Sequence, residues 1–406
     1  PVSVFKSYGE WLPDGRRIEN LVGIIYTTGC RWGKCRMCYF NKVRKADISN
    51  QDIINQVKMV LKEKPKKPFA LSIWTSGSFF DDREVPPHVR KAIVRLAKAA
   101  GALMFCCETR PEFVTVEKVR ELRQILPVKV YLGLESAFKE VLDAINKGIT
   151  FEDVKAAAEK ITKAGGFVGI YLLFGAPKAR KYDIVDSARA CLCAGMKVHT
   201  FCVNPLVLNP DAPLWEDFRT GKYRPPRLWD LVDALVELKK VVGNIPVDVS
   251  TFKPSLRTPH NCGACDREVM SAIEKFVETQ DVTHLKQVDC WCRHKKLKAY
   301  APVHPYTGKK KVKVETVLKA WEKPIRLNKG FIKVVGSLAE HGEGNDIDVL
   351  IQLPEDTDPK IIHPIVFRLG RALPPELMDR LQVHLDRFHG PFTSYIDVYD
   401  LSLIHI

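Results

Sequence analysis

Three cysteines stand close together near the start of this 406-residue chain, and their spacing favours a metal cluster. Cys30, Cys35 and Cys38 directly follow residues 21–26, an apolar, β-branched run typical of a buried strand. Three thiolates from one loop can bind three irons of a cubane cluster, which leaves the fourth iron open to a small molecule. Zinc is the alternative metal, but a structural zinc site needs four ligands, and no fourth candidate is near in the sequence.

A second group of cysteines has the spacing of a closed metal site. Cys262 and Cys265 are separated by two residues, and Cys290 and Cys292 are separated by one. Four thiolates complete a tetrahedral shell, so we expect structural zinc, with an auxiliary iron–sulfur cluster as the alternative for the same ligands. The other cysteines lie in apolar segments and are expected in the core. Cysteine clusters of this kind are typical of a reducing compartment, so we expect a cytoplasmic protein.

A third candidate site lies in the last hundred residues, where acidic side chains flank predicted strands. Gly336 and Ser337 follow the apolar run 331–335, and Asp346 and Asp348 precede the next such run. Carboxylates at positions i and i+2 share one face of a strand, and Asp397 on a third predicted strand would complete a magnesium site. Glycine and serine after a strand can contact nucleotide phosphates. The pattern resembles the minimal nucleotidyltransferase fold of the DNA polymerase β type, which implies magnesium and a nucleoside triphosphate.

Strand-like and helix-like segments alternate along the first half of the chain. The strand-like runs are residues 21–26, 69–74, 102–107, 128–133, 166–174 and 198–203. Helices are expected to begin near Asn50 and residue 151, where Ser49 and Thr150 each precede an aspartate by three positions, as in a capping box. This alternation predicts an α/β fold whose parallel sheet forms a partial or complete barrel.

The functional groups of such a barrel lie at the carboxyl ends of its strands. Thr75 and Gly77 follow the second strand-like run, Glu108 and Arg110 follow the third, and Glu135 follows the fourth. A single glutamate at a strand end is often merely solvated. The same placement at successive strand ends favours one shared binding site beside the three cysteines.

The cysteine loop and these strand-end residues together resemble the radical S-adenosylmethionine (SAM) superfamily. The usual motif there has three residues between the first two cysteines, whereas this chain has four. The resemblance implies a partial (β/α)6 barrel of the TIM type, with a [4Fe-4S] cluster on the three cysteines and SAM on the open iron. It also implies that the five strand-end residues contact SAM, with Arg110 facing its carboxylate and Glu135 its ribose hydroxyls.

Further motifs narrow the resemblance. Three are similar to the branch that includes the elongator catalytic subunit: ETRP at 108–111, GLES at 133–136 and NKG at 146–148. Three others are similar to the archaeosine synthase β-subunit family: YLLFGAP at 171–177, NPLVLNP at 204–210 and TGKYRPPRLW at 220–229. Membership there implies a tRNA whose 7-deazaguanine carries a lysine adduct, installed by a partner transferase, the α subunit. It implies radical cleavage of the lysine C–N bond, a lyase reaction that gives archaeosine, and an external electron donor.

The positive charge of the chain is unevenly distributed. Lys and Arg exceed Asp and Glu by 15 over the whole chain, yet residues 301–406 contain 14 basic and 14 acidic side chains. The excess in the first 300 residues predicts a polyanionic partner such as tRNA, although solubility would also account for it. No apolar run reaches the roughly 20 residues of a membrane span, so we expect no membrane association.

We expect three domains: a radical SAM barrel over residues 1–250, a cysteine-rich metal-binding extension over 251–305, and an incomplete nucleotidyltransferase-like domain over 306–406. Three alternatives for the function stay open. The chain could be a nucleotidyltransferase whose barrel serves as an RNA-binding platform, or a radical enzyme with another RNA modification of the elongator-subunit type. It could also be a non-catalytic zinc-bearing RNA-binding protein, which would be colourless and would not cleave SAM.

Overall fold

The computed structural model describes residues 3–42, 44–75, 77–255, 257–261, 265–294, 312–321, 331–335, 343–344, 347–354, 369, 381–388 and 404–405. The chain divides into two compact units. The first comprises Pro1–Trp215, Asp230–Lys253 and Ser271–Gln287, and the second comprises Glu216–Trp229, Pro254–Met270 and Val288–Ile406.

The first unit is built on an eight-stranded sheet whose strands follow one another in chain order. The strands are β1 (Ser3–Trp11), β2 (Arg17–Ile24), β3 (Phe69–Trp74), β4 (Ala102–Thr109), β5 (Val128–Glu135), β6 (Phe167–Phe174), β7 (Val198–Pro205) and β8 (Val247–Val249). Strands β2 to β8 are parallel, and β1 pairs antiparallel with β2 at the edge. The predicted α/β partial barrel is confirmed, and β1 and β8 are additions that the sequence analysis missed.

Helices lie between most of these strands along the chain, and two follow β8. They are α1 (Asn50–Lys62), α2 (Pro87–Ala99), α3 (Val116–Arg123), α4 (Lys139–Ala144), α5 (Phe151–Lys163), α6 (Asp183–Cys193), α7 (Leu214–Arg219), α8 (Leu228–Val242), α9 (Asp266–Thr279) and α10 (Thr283–Gln287). Both expected capping boxes form, Ser49 with Asp52 and Thr150 with Asp153, and each fixes where its helix begins. Among the described residues, no helix combines the length and the apolarity needed to cross a membrane.

Buried side chains show that the sheet curls around a shared core. Ala70 of β3, Met104 of β4, Tyr131 of β5 and Cys202 of β7 belong to one apolar cluster, together with Leu12 beside β1. Side chains of strands this far apart in the sheet meet because its inner face is concave, as in a barrel. The filled interior leaves the carboxyl edge of the strands as the place for ligands.

A buried charged pair joins the first strand to this core. Lys129 Nζ donates to Glu10 Oε1 at 2.6 Å and to Thr200 Oγ1 at 3.1 Å, and Tyr131 Oη donates to the second Glu10 oxygen at 2.9 Å. Burial raises the pKa of Glu10, but the Lys129 ammonium and these hydrogen bonds outweigh it, so the net pKa is lowered. Loss of either partner would leave a buried unpaired charge, so the pair fixes β1 against β5 and β7.

The described part of the second unit contains a mixed four-stranded sheet and several short elements. They are α11 (Trp291–His294), β9 (Val312–Lys313), α12 (Val314–Ala320), β10 (Phe331–Val335), β11 (Glu343–Gly344), β12 (Ile347–Pro354), β13 (Leu381–Phe388) and β14 (Ile404–His405). The sheet order is β13-β12-β10-β14, with β12 parallel to β13 and antiparallel to β10.

One residue of the predicted nucleotide site can be placed in this sheet. Asp348 lies in β12 opposite Val335, the last residue of β10. The other predicted residues of that site lie outside the described residues: Gly336, Ser337, Asp346 and Asp397. The nucleotidyltransferase-like assignment therefore stays a prediction.

Candidate functional site

The loop after β2 carries the first cysteine group at the carboxyl edge of the barrel. Cys30, Cys35 and Cys38 are all partly buried. Burial raises the pKa of Cys35, and it raises the pKa of Cys38 to about 11, with the neighbouring thiols of the group adding to both shifts. The thiols of this group therefore lie close enough to affect one another's pKa.

Glu84 ties this loop to the end of the neighbouring strand. Its carboxylate is almost fully buried and accepts hydrogen bonds from Thr27 Oγ1 at 2.5 Å and from the Ser78 backbone N–H at 2.5 Å. The Thr75 hydroxyl is a third partner, and burial raises the pKa of Glu84 in spite of these bonds. Thr75 was expected to contact SAM, whereas its side chain takes part in this network. Glu84 itself was not predicted.

Gly77 lies directly against the cysteine loop. A Cβ atom at Gly77 would be 2.5 Å from Cys30 Cα and 2.7 Å from Cys30 N, closer than nonbonded atoms can approach. Only glycine allows this backbone contact between the end of β3 and the first cysteine. The structure therefore places this predicted site residue beside a predicted cluster ligand.

The other flank of the cysteine loop is held by the segment between α4 and α5. Trp32 Nε1 donates to the Asn146 carbonyl at 2.9 Å, and Asn146 Nδ2 donates back to the Lys34 carbonyl at 3.0 Å. Gly148 has φ +66°, and a Cβ atom there would be 2.2 Å from the Trp32 ring. The NKG motif found in the sequence therefore holds the loop through an indole and two carbonyls.

Arg110 supports the same segment. Its Nη1 and Nη2 donate to the carbonyls of Lys147 at 2.9 Å and Gly148 at 3.2 Å, and its Nε donates to Glu112 Oε1 at 2.5 Å. The guanidinium also lies over the Trp32 ring, 5.3 Å from its centroid, where a cation–π attraction is favourable. The resemblance to radical SAM enzymes implied that Arg110 faces the SAM carboxylate. In the structure these donors bind the protein, so Arg110 positions the cysteine loop.

Glu135 and Lys147 form a buried ion pair at the end of β5. Lys147 Nζ lies 2.5 Å from Glu135 Oε1, and both side chains are nearly inaccessible to solvent. Burial lowers the pKa of Lys147, but the charges of Glu135 and Cys35 outweigh it, so the net pKa is raised. Glu135 has φ +67°, a strained conformation that functional sites often retain. Lys147 thus orients Glu135, the residue predicted to bind the ribose of SAM, and places a positive charge near the thiols of the cysteine loop.

Glu108 at the end of β4 lies beside aromatic side chains. Burial, and then the charge of Glu84, raise its pKa to about 8, so this carboxyl is mostly protonated at neutral pH. When ionised, Glu108 interacts electrostatically with Tyr171. The Tyr171 ring stacks on Tyr131 at 5.0 Å between centroids, and Trp74 meets Tyr131 edge-on at 5.6 Å. The partly exposed rings of Trp74 and Tyr171 can stack on a planar ring, and a protonated carboxyl can donate a hydrogen bond to it.

The second cysteine group is also brought together in part. The sulfur atoms of Cys265, Cys290 and Cys292 lie within 4.8 Å of one another, and all three residues are buried. Cys262, the fourth predicted ligand, lies outside the described residues.

The chain is similar to known proteins over most of its first 300 residues. The family model described as Radical SAM superfamily matches residues 24–191, which include the cysteine loop and Glu135. Archaeosine synthase subunit beta of Methanosarcina acetivorans is 34% identical over 303 residues, 70% of this chain and 86% of that protein. The chain belongs to the archaeosine synthase subunit beta family. A second member of this radical SAM family, from Thermococcus kodakarensis, is 36% identical over 288 residues, 66% of this chain and 88% of that protein.

Two solved structures are also similar to the chain over part of its length. Queuine lyase from Clostridium spiroforme, bound to SAM and queuine, is 18% identical with a TM-score of 0.41, covering 59% of this chain and 94% of that one. Elp3 of Methanocaldococcus infernus is 16% identical with a TM-score of 0.43, covering 51% and 55%. Membership of the radical SAM family follows from the sequence relatives, and it makes the chain an enzyme.

The site fits the cofactors of the radical SAM family. Three cysteines on one loop match three irons of a [4Fe-4S] cluster and leave one iron for SAM. Metal coordination deprotonates thiols, and the Lys147 ammonium lowers the pKa of Cys35 and Cys38, which offsets part of the effect of burial. The three thiols, the close backbone packing around them and the nearby Lys147 charge therefore all suit a cluster of this kind.

Proposed function

We propose that this chain modifies tRNA by cleaving the C–N bond of a lysine adduct on 7-deazaguanine, which forms archaeosine. The observation that carries this proposal is the similarity to archaeosine synthase subunit beta, which extends over 86% of the Methanosarcina relative. The carboxyl edge of the barrel supplies the site, because the cysteine loop, Glu108 and Glu135 lie there together. The alternative is another radical modification of RNA, and the test below distinguishes it from archaeosine formation.

The residues of the site divide into ligands and supports. Cys30, Cys35 and Cys38 would hold the [4Fe-4S] cluster. When bound and reduced by an external electron donor, the cluster and SAM would supply the radical chemistry that removes a hydrogen atom from the substrate. Glu135, oriented by Lys147, would accept hydrogen bonds from the ribose hydroxyls of SAM. The backbone around Gly77 would face the amino group of SAM.

Glu108 and the aromatic side chains near it would contact the deazaguanine base of the tRNA. The Tyr131 and Tyr171 rings form a stacked pair, and the carboxyl of Glu108 is mostly protonated at neutral pH because its pKa is raised to about 8. Tyr131 is buried in the core, but Trp74 and Tyr171 are only partly buried, and a planar deazaguanine could stack on the exposed part of either ring while Glu108 donates to one of its acceptors. Glu108 would therefore contact the substrate and SAM from the same strand end.

Two partners follow from this function. The net charge of +15, which lies in the first 300 residues, suits contacts with tRNA phosphates. The relatives are named as the beta subunit of a synthase, so we propose a complex with an α subunit that is a transferase and installs the lysine adduct.

The experiment uses anaerobically purified and reconstituted protein with dithionite, SAM and tRNA that carries the lysine adduct. We expect equal amounts of 5′-deoxyadenosine and archaeosine, measured by mass spectrometry of free nucleosides and of digested tRNA. Cys30→Ala should lose both products, whereas Cys193→Ala, which changes an exposed cysteine outside the site, should keep them. Release of 5′-deoxyadenosine with a different tRNA product would replace the proposed reaction. A colourless protein that releases no 5′-deoxyadenosine would overturn the radical mechanism.

A further inference from the structure

We propose that Cys265, Cys290 and Cys292 bind a single tetrahedral metal ion of the zinc class, which joins two segments of the second unit. The proposal concerns a site separate from the radical chemistry, and it decides between the two metals that the cysteine spacing leaves open. It rests on the positions of the sulfur atoms and on the N–H groups that point at them.

The distance between sulfur atoms favours one ion over a cluster. Cys265 Sγ and Cys292 Sγ are 3.7 Å apart, and the Cys290 sulfur lies within 4.8 Å of both. Two thiolates on a tetrahedral zinc, each about 2.3 Å from the metal, are about 3.8 Å apart. In a cubane cluster each thiolate binds its own iron, so the sulfur atoms are held much farther apart.

Side-chain N–H groups stabilise these sulfur atoms as thiolates. Trp229 Nε1 donates to Cys292 Sγ at 3.1 Å, and Asn261 Nδ2 donates to Cys265 Sγ at 3.5 Å. Hydrogen bonds to the charged form favour that form, and metal-bound ligands are typically oriented by such donors. The Arg293 guanidinium lies over the Trp229 ring, 4.8 Å from its centroid, which brings a positive charge to the same place.

The ligands and their donors come from three separate stretches of the chain. Trp229 ends the first, Asn261 and Cys265 belong to the second, and Cys290 and Cys292 belong to the third. Protein contacts already join the first two, because the Trp229 N–H donates to Asn261 Oδ1 at 3.0 Å. Arg227 donates to the Cys292 carbonyl and so joins the first to the third. An ion bound by thiolates of the second and third stretches would add its binding free energy to the stability of this unit.

The first test measures metals in the intact chain, purified without air and without added iron or zinc. We expect one zinc ion per chain, measured by inductively coupled plasma mass spectrometry. Cys30→Ala should lose iron and keep zinc, whereas Cys265→Ser should lose zinc. This contrast separates the proposal from the radical function, because each variant removes only one metal. Iron in place of zinc, with twice the iron and sulfide of one cluster, would overturn it, and so would zinc that persists in Cys265→Ser.

A milder variant covers the case in which Cys265→Ser fails to fold. Trp229→Phe keeps an aromatic ring but removes the N–H group that points at Cys292. We expect zinc affinity to fall about 10- to 100-fold in a chelator competition assay. Trp321→Phe is the matched control, because its buried indole donates to the Leu369 carbonyl and not to sulfur. Equal zinc affinity in the two variants would contradict the proposed role of Trp229 and the thiolate site with it.

Discussion

At the scale of single residues, the cysteine loop depends on the buried carboxyl group of Glu84. Glu84 accepts hydrogen bonds from Thr27 on the cysteine loop and from Ser78 beyond β3. Replacing a buried acceptor that has several donors lowers the stability of the fold most, because the donors then lose their partner in a place that water does not reach. Glu84 should therefore affect the cluster although it is not a ligand.

We predict that Glu84→Gln lowers the iron content of the reconstituted protein and destabilises the fold by about 1–3 kcal/mol. The amide would place an N–H group where the Ser78 N–H or the Thr27 hydroxyl needs an acceptor. Iron analysis and thermal unfolding of the apoprotein check this. Glu121→Gln, which changes an exposed ion pair with Lys91, should leave both measurements unchanged. A Glu84→Gln protein with full iron content would show that the loop does not need this carboxylate.

Asp183 carries a pH dependence at the same scale. It is buried at the start of α6, where Ser136 Oγ donates to it at 3.1 Å, and burial raises its pKa to about 6. Its pKa in the unfolded chain is near 4, so the folded state binds more protons between these values. The stability that Asp183 contributes is therefore present below about pH 4 and is lost as the pH rises towards 6.

Asp183→Asn should remove this loss. We expect the variant to be more stable than the wild type by roughly 2 kcal/mol at pH 7, and the difference to vanish below about pH 4. Thermal unfolding between these pH values gives the comparison. Asp143→Asn, which changes an exposed ion pair with Lys139, is the control and should follow the wild-type profile. Parallel profiles for wild type and Asp183→Asn would show that this carboxyl does not titrate as the burial implies.

At the scale of elements, the contact between the cysteine loop and the α4–α5 connection gives a sharp prediction. Gly148→Ala should reduce iron content strongly, because the new methyl group would collide with the Trp32 ring. Gly195→Ala is a matched control, since Gly195 has a similar φ of +74° but no atom within 4 Å of a Cβ there. Both variants bear the strain of a positive φ, so a difference in iron content isolates the indole contact. Equal iron content would contradict it.

The sequence was sufficient for most elements of the barrel, and the exceptions have physical causes. Strand β3 matches its predicted bounds because its residues are apolar, while β1 mixes charged and apolar residues and has no helix after it, so it lacked the βα pattern. Strand β8 has only three residues, which is too short for any periodicity. Long apolar runs are readable in a sequence, and edge strands are not.

The candidate site likewise contains residues that the sequence predicts and residues that it does not. The three cysteines were predicted from type and spacing, and Gly77 and Glu135 from their places after strands. The structure places Gly77 beside Cys30. Glu84 was missed because it lies ten residues beyond the end of β3, and only the folded loop brings it to Thr27. The role of Arg110 could not be read either, because its partners are backbone carbonyls, which every residue has.

At the scale of the whole molecule, the positive charge predicts how binding responds to salt. The excess of 15 positive charges should place several Lys and Arg side chains on tRNA phosphates, and each such contact releases counterions. We therefore expect the affinity for tRNA to fall at least about tenfold between roughly 50 and 200 mM salt. Filter binding checks this, with the same tRNA lacking the lysine adduct as the control, which should show the same salt slope. An affinity that does not change with salt would argue against phosphate contacts.

The two anchors of the cysteine loop have a consequence for the life of the enzyme in the cell. Glu84 holds one flank, and Trp32 with Gly148 holds the other, and none of these contacts passes through a metal. A chain that has lost its iron to oxygen would therefore keep the cysteine loop in the position that suits the cluster. Repair would then require only a fresh delivery of iron and sulfide, without unfolding or new synthesis of the polypeptide.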